Sequence, residues 1–114
     1  DLWQHSLDGQ LLHWIEVGQP DDRRLAKACG RAGRVSIYCY GSASSIWWAA
    51  IQSKLTRLRN LTVWQLPSEQ AQALATLAQR SMQWQLSVQD GHVWISTEAA
   101  SVELAPQRLM GPAA

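Results

Sequence analysis

A chain of 114 residues suits one domain, and 46% hydrophobic against 17% charged residues excludes a disordered tail. No apolar run approaches the length of a bilayer span, and two cysteines, Cys29 and Cys39, are too few for a disulfide scaffold and lack metal-ligand spacing. The expectation is a single reduced, cytoplasmic domain over residues 1–114. Because it starts at Asp1 rather than Met, it is expected to be the C-terminal portion of a longer chain whose N-terminal segment is absent.

The net charge of +1 conceals an uneven distribution. Residues 1–22 carry Asp1, Asp8, Glu16, Asp21 and Asp22 and no Lys or Arg, giving −5. Residues 23–60 carry Arg23, Arg24, Lys27, Arg31, Arg34, Lys54, Arg57 and Arg59 and no acid, giving +8; the remainder gives −2. An acidic patch followed by a basic block is what a metal site beside a phosphate-binding surface needs. The alternative is that the cations solvate the outer faces of two helices.

Leu2 to His5 and Leu11 to Gly18 read as strands joined at Asp8-Gly9, a hairpin signal. In the second strand Leu11, His13, Ile15 and Val17 share one face, and Leu12, Trp14 and Glu16 the other. Gly18-Gln19-Pro20 breaks it. Pro20-Asp21-Asp22 starts a helix to about Arg31, with an inward stripe of Leu25, Ala28, Cys29 and Ala32, and Gly33 stops it. Arg34 to Tyr40 alternates as a strand, with Tyr38 and Tyr40 turned away from Val35 and Ile37 to line a groove or cover a second core layer. Gly41 to Ser44 opens a helix to about Leu58, whose stripe is predicted as Ile46, Trp47, Ala50, Ile51 and Leu55. Leu61 to Leu66 is a third central strand, Glu69 to Arg80 a helix, and Met82 to Val88 with His92 to Ser96 a hairpin around Gln89-Asp90-Gly91. Val102 to Leu104 is a short strand in a poorly patterned tail. This order predicts an α/β (α+β) domain, a mixed β-sheet flanked by helices.

Glu16 is the most informative residue. A carboxylate beside Leu12 and Trp14 on an apolar strand is partly desolvated, which is costly without a cation or hydrogen bonds. Asp1 on the partner strand is placed to converge with it, and the Val17 carbonyl would complete an oxygen set suited to a hard divalent cation. Two acids on a hairpin also describe an exposed edge or an ion pair. Arg24 borders the buried stripe of its helix and reaches back toward the sheet end, whereas Lys27 lies nearly opposite the stripe and is expected to be solvated. Gln19 is placed to orient a water or a phosphate, or to act only as a turn residue. Seven tryptophans and no phenylalanine invite a base-stacking reading, but most sit where core packing needs them; Trp48 is the one considered for the surface. His13 points away from Glu16, no zinc pattern exists, and no phosphate loop or serine-hydrolase elbow occurs.

Asp1-Leu2-Trp3, the run from Trp14 to Cys29, Val35 to Tyr40, Ile46-Trp47-Trp48, Asn60 to Trp64 and Gln89-Asp90-Gly91 together resemble the YaeQ family of bacterial proteins. The resemblance implies a restriction-endonuclease-like fold similar to the PD-(D/E)xK nuclease superfamily. There an Asp and a Glu hold magnesium, and a Lys two residues after the Glu places the attacking water. Asp1 and Glu16 match the acids, while Gly18 falls where the Lys is expected. Hence the implied chemistry is an Mg²⁺- or Mn²⁺-dependent phosphodiesterase. Asp1, Glu16 and Val17 would be its metal ligands, with Gln19, Arg24 or Lys27 in place of the Lys. DNA or RNA would be held through residues 23–60. The alternative is a non-catalytic nucleic-acid- or protein-binding module that kept the fold.

Overall fold

The computed structural model describes residues 2–80, 84–97 and 100–112. Its elements run β1 (Leu2–His5), β2 (Leu11–Val17), α1 (Asp22–Arg31), β3 (Arg34–Tyr40), α2 (Ala43–Leu55), β4 (Leu61–Leu66), α3 (Ser68–Arg80), β5 (Gln85–Gln89), β6 (His92–Ser96), β7 (Ser101–Leu104) and β8 (Gln107–Met110). A five-stranded mixed sheet has the order β1-β2-β3-β4-β8. Its parallel heart, β2-β3-β4, is bounded by antiparallel β1 and β8. Among the described residues no helix is long and apolar enough to cross a membrane.

Both faces of the parallel strands are covered, as such strands require. On one side Trp14, Val35, Ile37, Leu61 and Val63 pack under Leu25 and Ala28 of α1 and Ile51 and Leu55 of α2. On the other, Ile15, Tyr38, Trp64 and Leu66 meet Ala71, Leu74 and Leu77 of α3, Trp84 just ahead of β5, and a second, three-stranded sheet through Val93, Ile95 and Leu104. The expected mixed sheet flanked by helices is thus present, and β5-β6-β7 adds a second sheet to it. Its inner face carries Val93, Ile95 and Leu104 and its outer face Ser87, Trp94 and Glu103, and the inner face stacks on the main sheet. The predicted strand at Met82 to Val88 begins at Gln85; Met82 and Gln83 lie outside the described residues.

Helix α1 starts and stops as the sequence indicates: Asp21 caps it by accepting from the Arg24 backbone N–H at 2.8 Å. The predicted α2 stripe is rotated. Ile46 is 75% exposed and Ala50 is exposed, while Ser44 is buried and Trp48 joins Trp47 against the core. A small residue fits where the start of α2 meets the sheet. The Ser44 hydroxyl is satisfied there, donating to Gly41 O at 2.8 Å and accepting from Gln65 Nε2 at 2.8 Å. Trp47 donates to Pro20 O at 2.8 Å, fixing the helix to the β2–α1 link.

Tyr38 covers the second core layer, stacked on Trp64 at 6.2 Å between centroids. Burial holds its phenol well above the ordinary value. Among the described residues its hydroxyl has no hydrogen-bond partner, so Tyr38→Phe removes a polar group that contributes nothing to the fold. Urea unfolding of that variant is expected to lie within about 0.5 kcal/mol of the wild type, or above it. A loss of about 2 kcal/mol would mean the hydroxyl is bonded.

Candidate functional site

Strand β2 carries Glu16 near its C-terminal end, on the face shared with Trp14 and covered by α1. Glu16 is only 6% exposed. Because α1 turns back over the strand, Arg24 reaches it: Arg24 Nε donates to Glu16 Oε1 and Oε2, both at 2.8 Å. Trp14 Nε1 donates to Oε1 at 3.2 Å, and the Arg24 guanidinium lies 5.9 Å from the Trp14 ring centroid. The Glu16 carboxylate in turn pushes the Arg24 pKa further up. A buried carboxylate is tolerable here because a cation and an indole N–H compensate it.

The other expected site residues separate. Gln19 donates its amide to Tyr40 O at 2.5 Å, closing the turn after β2 onto the end of β3. Lys27 is exposed, as its place on the helix indicates. Val17 is half-buried, and its side chain packs on the α3 side of the sheet. Asp1 lies outside the described residues. Gly18 has φ +135°, which L side chains rarely adopt, and its N–H donates to Tyr38 O at 3.0 Å. The chain turns at the position where the resemblance expects a lysine, so glycine there has a structural cause.

A magnesium centre needs several oxygen ligands. Among the described residues no three His, Cys, Asp or Glu side chains are grouped to hold a metal. Glu16 has both oxygens engaged by Arg24. Of the two expected carboxylate ligands, Glu16 is the one among the described residues, and Arg24 already neutralises it. Burial pushes the Cys29 and Cys39 thiols up to about 11, away from the thiolate form. An open depression of about 360 Å³ at the ends of β3 and β4 is lined by residues such as Gly41, Gln65, Ser68 and Gln107 and contains no ionisable side chain.

The basic block is divided by the fold. Both α1 and α2 run back against the parallel strands, so their C-terminal ends meet the start of β3 and β4. Asn60 locks this edge: its Nδ2 donates to Cys29 O at 2.9 Å and Ala32 O at 3.0 Å, capping α1, and its carbonyl accepts from Val35 N at 2.9 Å. Arg31, Arg34, Lys54, Arg57 and Arg59 collect there, at the opposite edge from Glu16. Of these, Arg31, Lys54, Arg57 and Arg59 are exposed and make no ion pair among the described residues. Asp8, in the β1–β2 turn on the same edge, is engaged by the Ser6 hydroxyl. Arg23, Arg24 and Lys27 lie in the first half of α1, toward the Glu16 end. Sequence reasoning missed the Asn60 clamp, whose partners are separated by about thirty residues in the chain.

The model of a family described as YaeQ protein matches residues 1–106. The Escherichia coli (strain K12) protein described as "Uncharacterized protein YaeQ" is 42% identical over 92 residues, 80% of this chain and 51% of that protein. The Salmonella typhi protein of the same description gives the same identity and coverage. Among solved structures, the YaeQ protein from Xanthomonas axonopodis pv. citri aligns with TM-score 0.67 and 36% identity over 96% of this chain and 63% of that one. The YaeQ protein from Pseudomonas syringae gives 0.66, 31%, 96% and 61%. The chain spans about half the length of the curated relatives it matches.

Proposed function

We propose that this chain, which belongs to the YaeQ family, binds the phosphate backbone of nucleic acid without a resident metal ion. The observation that carries this reading is the basic edge itself: Arg31, Lys54, Arg57 and Arg59 are exposed on elements that Asn60 ties together. Cations at helix C-termini complement the helix dipole, which accounts for Arg31 and Lys54. It does not account for Arg57 and Arg59, which follow α2 and gather more positive charge onto the same edge. A polyanion releases counterions from such a surface. A cytoplasmic location, where thiols stay reduced, agrees with the free Cys29 and Cys39.

The double variant Arg57→Glu/Arg59→Glu is expected to weaken binding of a labelled oligonucleotide at least tenfold at low salt. The slope of log affinity against log salt should fall by about 2, roughly one counterion for each arginine–phosphate pair removed. Anisotropy titrations with chelator present read both. Unchanged affinity and slope would contradict the proposal.

A second reading, a magnesium-dependent phosphodiesterase, is favoured by one asymmetry. The Glu16 side chain is 8% exposed while that of Arg24 is 50% exposed, so Arg24 can withdraw toward water and leave the carboxylate to another cation. Mg²⁺ calorimetry on wild type and Glu16→Ala separates the readings: saturable uptake that disappears in the variant supports the enzyme.

A further inference from the structure

We infer that the nucleic acid taken by this chain is single-stranded, with one base stacked on Trp3. The inference rests on the backbone-binding reading of the basic edge. Of the seven tryptophans, Trp14, Trp64 and Trp84 are buried and Trp47, Trp48 and Trp94 are half-buried. Trp3 alone is exposed, at 47%.

Its ring is held rather than free. It lies opposite Trp14 in the β1–β2 ladder, 5.2 Å from it, and Trp14 is itself fixed by Glu16 and covered by Arg24. Leu12, on the same face of β2 as Trp14, adds a second exposed apolar group at 43%. A pre-positioned indole beside an apolar neighbour is what a stacking platform needs, since little side-chain freedom is lost on binding.

The platform adjoins the cations. Arg24 marks the flank of α1 that faces β2, and Arg31, seven residues on, lies on the same flank about 10 Å further along. Gly33 N donates to Leu11 O at 3.2 Å, placing that end of α1 beside the start of β2. Arg31 thus belongs both to the platform's border and to the basic edge. From β1 to β4 the sheet spans three strand spacings, about 14 Å, so one strand of nucleic acid can set its phosphates along Arg31, Arg57 and Arg59 while presenting a base to Trp3. A duplex satisfies the cations equally, but its base faces are stacked on one another and unavailable for stacking on Trp3.

The test compares a labelled single strand with a hairpin duplex, in chelator, for the wild type, Trp3→Ala and Trp3→Phe. Trp3→Ala is expected to lower single-strand affinity about tenfold or more while leaving duplex affinity unchanged, and Trp3→Phe to recover most of that affinity. Circular dichroism confirms that each variant is folded. Equal single-strand affinity in all three proteins would overturn the role of Trp3 while leaving the basic edge intact, provided both nucleic acids are bound. Binding of neither by the wild type would overturn both readings. A wild-type dimer that dissociates in Trp3→Ala by sedimentation would place a second copy on this face and overturn the inference.

Discussion

Arg24→Ala is expected to cost about 3 kcal/mol of unfolding free energy at neutral pH, and Glu16→Gln about 1 kcal/mol, although the two changes break the same pair. The asymmetry follows from burial. Removing Arg24 strands a carboxylate that is 6% exposed, with the Trp14 N–H at 3.2 Å as its remaining partner among the described residues. Removing the charge of Glu16 leaves a guanidinium that is half in water and still finds solvent. Glu16→Gln also keeps an acceptor for Trp14, so it costs less than truncation. Urea unfolding of both variants measures the difference. If Arg24→Ala is as stable as the wild type, Arg24 is not what neutralises Glu16, and the carboxylate is open to a metal.

Acidification is expected to remove roughly 3 kcal/mol of stability between pH 7 and pH 4 through His13 alone. His13 is buried on the α3 side of the sheet, its Nε2 bonded to Ser36 Oγ at 2.9 Å and its ring edge-on to Trp84 at 5.3 Å. Burial first, and the nearby Arg34 charge second, push its pKa from 6.5 down to about 4. Between these values the unfolded chain binds a proton that the folded chain refuses. The contribution is therefore fully present above about pH 6.5 and is lost as pH falls toward 4. Other groups titrate in the same range, so the informative quantity is the difference from His13→Gln, measured at each pH. That difference should shrink on acidification as the penalty for protonating His13 appears in the wild type. A constant difference from pH 7 to pH 4 would show that His13 is solvated.

The central strands and α1 were legible because their alternation or helical stripe is complete: Val35, Ile37 and Cys39 on one face of β3, Leu25 and Ala28 on one face of α1. Strand β8 was not legible, since Gln107–Met110 has no alternation; it is set by pairing with β4 and by Thr62 Oγ1, which donates to Pro112 O at 2.7 Å. The α2 stripe was misread because Ile46 is more apolar than Ser44, yet Ser44 is the one whose size and hydroxyl suit the contact with Gln65. For the site, the strand face of Glu16 and the helix flank of Arg24 were legible, but their pairing was not, because the angle at which α1 returns over β2 is not written in either pattern. The division of the basic block did not, because which end of the sheet a cation reaches depends on the direction in which each helix returns. Trp3 escaped notice for a similar reason. An alternating strand shows which residues share a face, but not that β1 is the outermost strand among the described residues, with Trp3 exposed on it.

The most direct test of metal-free backbone binding is the affinity of the wild-type chain for one labelled oligonucleotide across a salt series, in chelator and in millimolar Mg²⁺. The basic edge predicts saturable binding in chelator and a steep linear fall of log affinity with log salt. Mg²⁺ should act only as a competing cation. Binding that appears only when Mg²⁺ is added, with cleavage of the oligonucleotide, would contradict it and favour the magnesium-dependent phosphodiesterase.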